Sequence, residues 1–482
     1  MNINVISRYL GIALLANSIF MFLSAGVSAI NGFDSAFVPL VISGIITFAA
    51  GIFPMIFVRD NHAPSIKEGF IIIILAWFLS CIFAMLPYLM WGGEYTLVNA
   101  FFESVSGLTT TGATILTDVE ALPKGLLFWR SSTHFIGGLG IVVFILLVLP
   151  EMSSVRFKLS KMEASEVSRE DFKFRSKDKV YVILSVYMIL VIANTLALWI
   201  AGMSFFDAVN HAFSTVATGG FSTKNASIAA YDSLAIELIC EFFMIISAIH
   251  FGMLYMLIFN RSLRIFRSPV VRYYLMTIFV ATVAISLNLV ASGTYSSFPE
   301  ALRQAFFNVA SVISTTGFAT VDTSVWPAFS IMILIFLLFQ CGCSGSTTGG
   351  IKSDRMWIFF CGVKKQLKQL LYPNAVVTVK VGGSVVNSSV LFPVVLFIAL
   401  YLFIAFVSTL LLTLCNMDLT EAFSGTVTMM SNAGPGFGSI SSVSNYNHIP
   451  TMGKVIFSID MLLGRVELYP LLLLVSGIFS RK

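Results

Sequence analysis

The sequence predicts an all-α integral membrane fold in which four similar helix, re-entrant segment, helix units follow two N-terminal transmembrane helices. Three observations predict it. The 482 residues are 57% hydrophobic and only 11% charged, whereas soluble proteins carry roughly 25% charged residues, so too little polar surface exists for a water-facing body. Uncharged apolar runs long enough to cross a bilayer recur along the whole chain. A 13-residue phrase returns four times between those runs. This composition excludes a nucleic-acid binder or a soluble metabolic enzyme, and it makes the net charge of +5 a matter of topology.

The first two runs, residues 9–33 and 35–58, precede any copy of the phrase. The first is too long for a signal-peptide core and follows no basic cluster, so it is expected to stay as a span. Runs at 71–93 and 131–150 flank the first copy, 180–206 and 242–260 the second, and 273–299 and 323–351 the third. Runs at 381–417 and 455–480 flank the fourth, the last interrupted by Asp460, Arg465 and Glu467. The expected division is a helix pair in residues 1–65, then units at 66–165, 166–262, 263–375 and 376–482. Ten crossings put both termini on one side. Of the 29 Lys and Arg residues, only Lys124, Lys224, Arg303 and Lys454 fall on the opposite side, and Arg130 and Arg465 lie within spans. That bias puts both termini in the cytoplasm. The six cysteines lie in or beside apolar stretches, as expected of small buried hydrophobes.

The repeated phrase reads AFFESVSGLTTTG at 100–112, AVNHAFSTVATGG at 208–220, AFFNVASVISTTG at 305–317 and AFSGTVTMMSNAG at 422–434. Alanine and glycine are 12 apart in every copy, and the glycines follow one another at 108, 97 and 117 residues. The first ten or so residues suit a helix of about 15 Å, half the hydrocarbon core. Small and hydroxyl residues then lead to a glycine, which permits unusual backbone angles. Non-helical backbone at membrane depth survives only inside protein or beside a wet cavity. Surface loops with glycine turns are a plain reading of one copy, but four in register on one face are hard to read that way. Four such hairpins around one pore would aim four helix C-termini, each worth about half a negative charge, at one point. The backbone carbonyls beyond them would form an oxygen cage for a dehydrated monovalent cation.

The strips TTTGA (109–113), ATGGF (217–221), STTGF (314–318) and NAGPG (432–436) resemble the four filter loops of the Trk/Ktr/HKT potassium-transport superfamily. The two spans ahead of the first unit resemble the TrkH-type membrane subunit more than the shorter Ktr type. The resemblance implies K⁺ ligation by the main-chain oxygens of Thr110, Thr111, Thr218, Gly219, Thr315, Thr316, Asn432 and Ala433. The filter glycines would be Gly112, Gly220, Gly317 and Gly434. The fourth loop departs from the Thr-x-Gly theme, so a less symmetric cage is expected there. In the HKT branch a serine at the first glycine accompanies sodium preference, so Gly112 implies K⁺. The resemblance further implies a homodimer in the bacterial inner membrane, with a ring of TrkA-type Rossmann subunits on the cytoplasmic side. The loop at 151–179, with eight basic and six acidic residues, reads as a solvated face able to dock such a partner. No P-loop is present in this chain, and no organic cofactor is expected.

Residues 342–350 place four glycines among small residues, each costing about 1 kcal/mol against alanine in a helix. The run at 323–351 is expected to break there and resume near Lys352, although a close-packed helix interface would use the same residues. By resemblance this stretch is a gate below the filter, formed by Gly342, Gly345, Ser346, Thr347, Gly349, Gly350 and the intramembrane Arg465. A charge at that depth costs at least about 2.5–3.5 kcal/mol, and a salt bridge to Asp460 or Glu467 is the alternative. Gly137, Gly138 and Gly140 read as close helix packing, and His134 and His250 as hydrogen-bonded intramembrane histidines. The functional expectation is gated K⁺ uptake, with a K⁺ symporter coupled to H⁺ or Na⁺ as the alternative. An intramembrane enzyme lacks its motifs: there is no H-E-x-x-H and no G-x-S-x-G.

Overall fold

The computed structural model describes residues 2–58, 64–148, 176–374, 379–381, 384–386, 388–466 and 468. The charged loop at 151–179 falls mostly outside the described residues, as does the last expected span past residue 468. The described chain is helical apart from one two-stranded hairpin.

Helices α1 (Ile3–Ile30) and α2 (Phe37–Phe57) pack together. A Cβ on Gly11 would lie 2.5 Å from the Gly51 carbonyl, the close backbone approach that small residues permit between membrane helices. A capping box of Ser65 and Glu68 starts α3 (Ile66–Ala84), which runs into α4 (Leu86–Trp91). Next come the short α5 (Leu97–Leu108) and α6 (Lys124–Val148). After them come α7 (Ser176–Ile200), α8 (Phe205–Ala217), α9 (Leu234–Ser247) and α10 (Phe251–Asn260). They are followed by α11 (Pro269–Ala291), α12 (Phe298–Ile313), α13 (Ala328–Gln340) and α14 (Ser353–Leu371). The last described helices are α15 (Ser388–Leu414), α16 (Leu419–Ser431) and α17 (Thr451–Val466).

Among the described residues, six helical stretches are long and apolar enough to cross a membrane, and a seventh counts if α9 and α10 form one span. Their apolar side chains face outward as well as inward: Phe279, Phe392 and Phe406 are exposed, while Ser24, Thr47 and Ser286 are fully buried and hydrogen-bond to carbonyls of their own helices. That inversion is what a lipid solvent selects, because backbone and side-chain polar groups must pair within the protein.

Two local features depart from the expected pattern. Residues 242–260 read as one uninterrupted run, yet α9 and α10 meet at 107°. The peptide groups freed at the bend find partners in the loop after α13: Cys343 N–H donates to Ala248 O at 2.8 Å, and Phe251 N–H to Gly345 O at 3.1 Å. His250 Nδ1 accepts from Gly252 N–H at 3.0 Å and caps α10. The second departure is an antiparallel pair, β1 (Val379–Val381) and β2 (Ser384–Val386), with Lys380 opposite Val385. It sits in the connection before α15 and not in a span, where valine-rich sequence favours extended backbone.

Candidate functional site at the four loop ends

The four short helices α5, α8, α12 and α16 begin alike. Thr96, Ser204 and Asp418 cap three of them with side-chain acceptors, and proline stands in the first turn of the fourth. They also end alike. The amides of Thr111, Gly219, Thr316 and Ala433 donate to the carbonyls of Ser106, Ser214, Ser311 and Thr428 at 2.8–3.1 Å. One residue earlier, the amides of Thr110, Thr218, Thr315 and Asn432 donate to Gly107, Thr215, Val312 and Met429 at 3.0–3.2 Å. This pair of bonds is the Schellman termination, and it demands a left-handed residue at its end. Glycine usually supplies one. Here Thr110, Thr218, Thr315 and Asn432 do so, with φ between 54° and 57°, at a cost of about 1–3 kcal/mol each for such backbone strain. The strain turns the next peptides out of the helix, and Gly112, Gly220, Gly317 and Gly434 follow with φ of 78–87°.

The four loops touch in cyclic order. A Cβ on Gly112 would lie 2.0 Å from Gly219 O, one on Gly220 2.1 Å from Thr316 O, one on Gly317 2.2 Å from Ala433 O, and one on Gly434 2.6 Å from Thr111 O. Each glycine therefore admits the carbonyl of the next loop, and the relation closes on itself. The eight residues expected to ligate are all buried. Among the described residues, no hydrogen bond ends on the carbonyl oxygens of Thr110, Thr111, Thr218, Gly219, Thr315, Thr316, Asn432 or Ala433. Buried carbonyls nearly always have a partner, and these eight have no protein donor among the described residues.

Side chains behind the loops hold them. Glu103, at the fourth position of the first phrase, pairs with Arg130 at 2.9 Å, the two side chains being 0% and 2% exposed. Glu103 also accepts from Ile115 N–H at 3.0 Å, just past Gly112. The Arg130 guanidinium stacks 4.0 Å from the Phe221 ring centre and reaches the Ser222 carbonyl, so the pair links the first two loops. The equivalent His211 bonds Ser222 at 2.9 Å and Asp207 O at 2.8 Å, and Asn308 reaches Thr320 at 3.5 Å. The fourth copy has glycine at that place, and Ser424 Oγ accepts from Phe437 N–H instead. His134 bonds Ser214 at 3.0 Å and stacks on Phe221, backing Gly219. Asn432 Nδ2 donates to Thr111 Oγ1 at 3.1 Å, which ties the divergent fourth loop to the first. In the connections after the first two loops, the Asn225 amide donates to Asp118 at 2.7 Å and holds that carboxyl below the usual range.

Glu103→Gln would strand the Arg130 charge, and breaking a buried pair costs about 3–5 kcal/mol. The detergent-solubilised variant should melt earlier, and Glu103→Gln with Arg130→Met should recover much of the loss. An unchanged melting curve for Glu103→Gln would show the pair to be dispensable.

The helix that was expected to break does so. Helix α13 stops at Gln340, Cys341 takes φ 44°, and α14 begins at Ser353. The intervening loop lies against the ends of α8, α12 and α16. Thr347 Oγ1 donates to Val216 O at 3.1 Å and accepts from Thr218 Oγ1 at 3.2 Å. Gly349 N–H donates to Thr315 Oγ1 at 3.3 Å, and a Cβ there would lie 2.2 Å from Ser431 O. Gly342 and Gly345 abut Ala248 and His250, Gly350 abuts Cys341, and Ser346 bonds Thr348. Arg465 donates to Thr347 O at 2.5 Å and to Gly137 O at 2.9 Å. Asp460 instead accepts from Ser408 Oγ at 2.7 Å, so the salt bridge from Arg465 to Asp460 is not formed, and Glu467 lies outside the described residues. Gly137 and Gly138 pack on the ends of α5 and α8, where a Cβ would meet Leu108 O and Ala217.

A multi-pass helical membrane chain that gathers unpaired carbonyls from four loop ends has the make-up of a cation transport protein. Residues 38–481 match the TrkH family, described as cation transport protein, and the chain belongs to that family. It is 36% identical over 419 residues to "Trk system potassium uptake protein TrkH" of Escherichia coli K12, covering 86% of each chain. It is 33% identical to the protein of that name from Vibrio parahaemolyticus, over 99% of both. The crystal structure of the potassium transporter TrkH from Vibrio parahaemolyticus superposes with a TM-score of 0.91 at 32% identity, covering all of both chains. These relatives are named as transport proteins and not as enzymes.

Sequence reasoning missed the Glu103–Arg130 pair and the bend at residues 248–250. An acid inside a membrane phrase and a base in the following span were the available signal for the pair. The bend had none, because its partners lie about a hundred residues away.

Proposed function

We propose that this chain conducts K⁺ into the cell through a filter of main-chain oxygens and that the loop after α13 gates it. Four pseudo-symmetric units surround one pore. The carbonyls of Thr110, Thr111, Thr218, Gly219, Thr315, Thr316, Asn432 and Ala433 replace the water around the ion. Gly112, Gly220, Gly317 and Gly434 let the loops approach closely enough to do so. The single observation that carries this reading is the closed cycle of glycine-to-carbonyl contacts among loops far apart in sequence. The four helix C-termini add about half a negative charge each. Potassium as the ion is supported by the names of the relatives and by glycine at the first filter position.

Gly342, Gly345, Ser346, Thr347, Gly349 and Gly350 form the gate, latched by Arg465. Its fixed charge lies beside the loop and limits cation occupancy below the filter. The protein works as a homodimer in the inner membrane, with both termini cytoplasmic on the Lys- and Arg-rich side. A nucleotide-binding ring of Rossmann subunits regulates it from there.

Purified protein in liposomes should carry K⁺ and Rb⁺ well above Na⁺ and Li⁺, and planar bilayers should show unitary currents. Equal uptake of all four ions would defeat the filter assignment. Ion-coupled uptake with no unitary current would transfer the reading to a symporter.

A further inference from the structure

Beside the gate loop, and separate from the proposed ion path, a groove of about 370 Å³ opens between α11, α13 and α14. Its walls are apolar and turned outward: Met276 is 61% exposed, Val280 52%, Phe336 45% and Phe360 43%. Its polar floor is already satisfied. Tyr273 Oη donates to Gln340 Oε1 at 2.9 Å, and Gln340 Nε2 donates to Thr277 Oγ1 at 2.9 Å. A polar solute would find no unmet hydrogen bond there, whereas a hydrocarbon chain would lose nothing.

One end of the groove is marked by charge. The rings of Tyr273 and Phe360 stand 6.2 Å apart. Arg272 immediately precedes Tyr273, and Lys364 follows Phe360 by one helical turn; both are exposed. Residues 261–298 and 355–417 contain no Asp or Glu; the carboxylate that α14 does carry, Asp354, is buried and accepts from Ser344 N–H at 2.6 Å, so it is already engaged away from that end. By the distribution of Lys and Arg, it faces the cytoplasm.

We propose that this groove seats one acyl chain of an anionic phospholipid from the cytoplasmic leaflet, with Arg272 and Lys364 holding its headgroup. The cationic end matches the phosphate, and the apolar walls match the tail. A lipid so placed braces the last turn of α13, whose final residue Gln340 adjoins the gate loop at Cys341.

The test uses the full chain, delipidated in neutral detergent and titrated with dioleoyl phosphatidylglycerol or dioleoyl phosphatidylcholine, with native mass spectrometry counting the first lipid bound. At about fivefold per basic side chain, phosphatidylglycerol should bind about twenty-five-fold tighter than phosphatidylcholine. Arg272→Gln with Lys364→Gln should bring the two lipids to near-equal affinity. Ala284→Phe should weaken both lipids alike by filling the groove, and Val280→Trp, at an exposed position, does the same if the first variant folds poorly. A lipid preference untouched by the charge variants overturns the proposal, as does undiminished binding in folded groove-filling variants. A change of oligomer mass on filling the groove would assign it to contact between copies of this chain and would likewise overturn it.

Discussion

Gly112→Ser should lower the K⁺-to-Na⁺ permeability ratio by about tenfold, equivalent to about 1.4 kcal/mol. A Cβ at this position would lie 2.0 Å from the Gly219 carbonyl oxygen, and φ of 83° strains any side chain placed there. The oxygen has to move, and Gly219 is one of the residues assigned to hold the ion. Selectivity depends on the number and position of the oxygens that replace the hydration shell, so a displaced oxygen removes discrimination before it blocks flow. Gly434→Ser should be milder, because its Cβ would stand 2.6 Å from the facing carbonyl of Thr111. Bi-ionic reversal potentials measure both. Parental ratios in a folded Gly112→Ser protein would remove these loops from the filter.

Arg465→Ala should raise K⁺ flux by about tenfold or more. Hydrogen bonds to a charged group contribute about 1.5–3 kcal/mol, and Arg465 makes two, one to Thr347 in the loop after α13 and one to Gly137. Losing one of them from the closed state alone shifts the equilibrium toward opening by roughly tenfold. Removing the positive charge also favours a cation below the filter. Arg465→Lys keeps the charge but cannot fork to two carbonyls, so intermediate flux is expected. Rb⁺ uptake into liposomes gives the readout. Parental uptake by a folded alanine variant would remove the latch, and failure of both variants to fold would make Arg465 a structural residue.

The sequence marked the helix ends well because each rests on a local pattern. Four alanine-to-glycine phrases mark where helices α5, α8, α12 and α16 end, and the run of glycines after Gln340 marks where α13 stops. Both signals act within a dozen residues, through helix propensity and backbone freedom. Partners were harder to read. Arg465 invited a bridge to the nearby Asp460, yet it bonds carbonyls 118 and 328 residues away in sequence. Residues 242–260 have helical composition throughout, and the bend at His250 exists because the loop after α13 supplies its hydrogen bonds.

By itself the sequence determined the membrane solvent, the repeated phrase, the Lys and Arg asymmetry and the helix stops, since hydropathy and local backbone preference act within one segment. Only the tertiary structure decided which carbonyl each glycine admits, which side chains brace the loops and what Arg465 holds. Those contacts join segments a hundred or more residues apart. Their geometry depends on how closely packed backbones approach, a quantity no local stretch of chain contains.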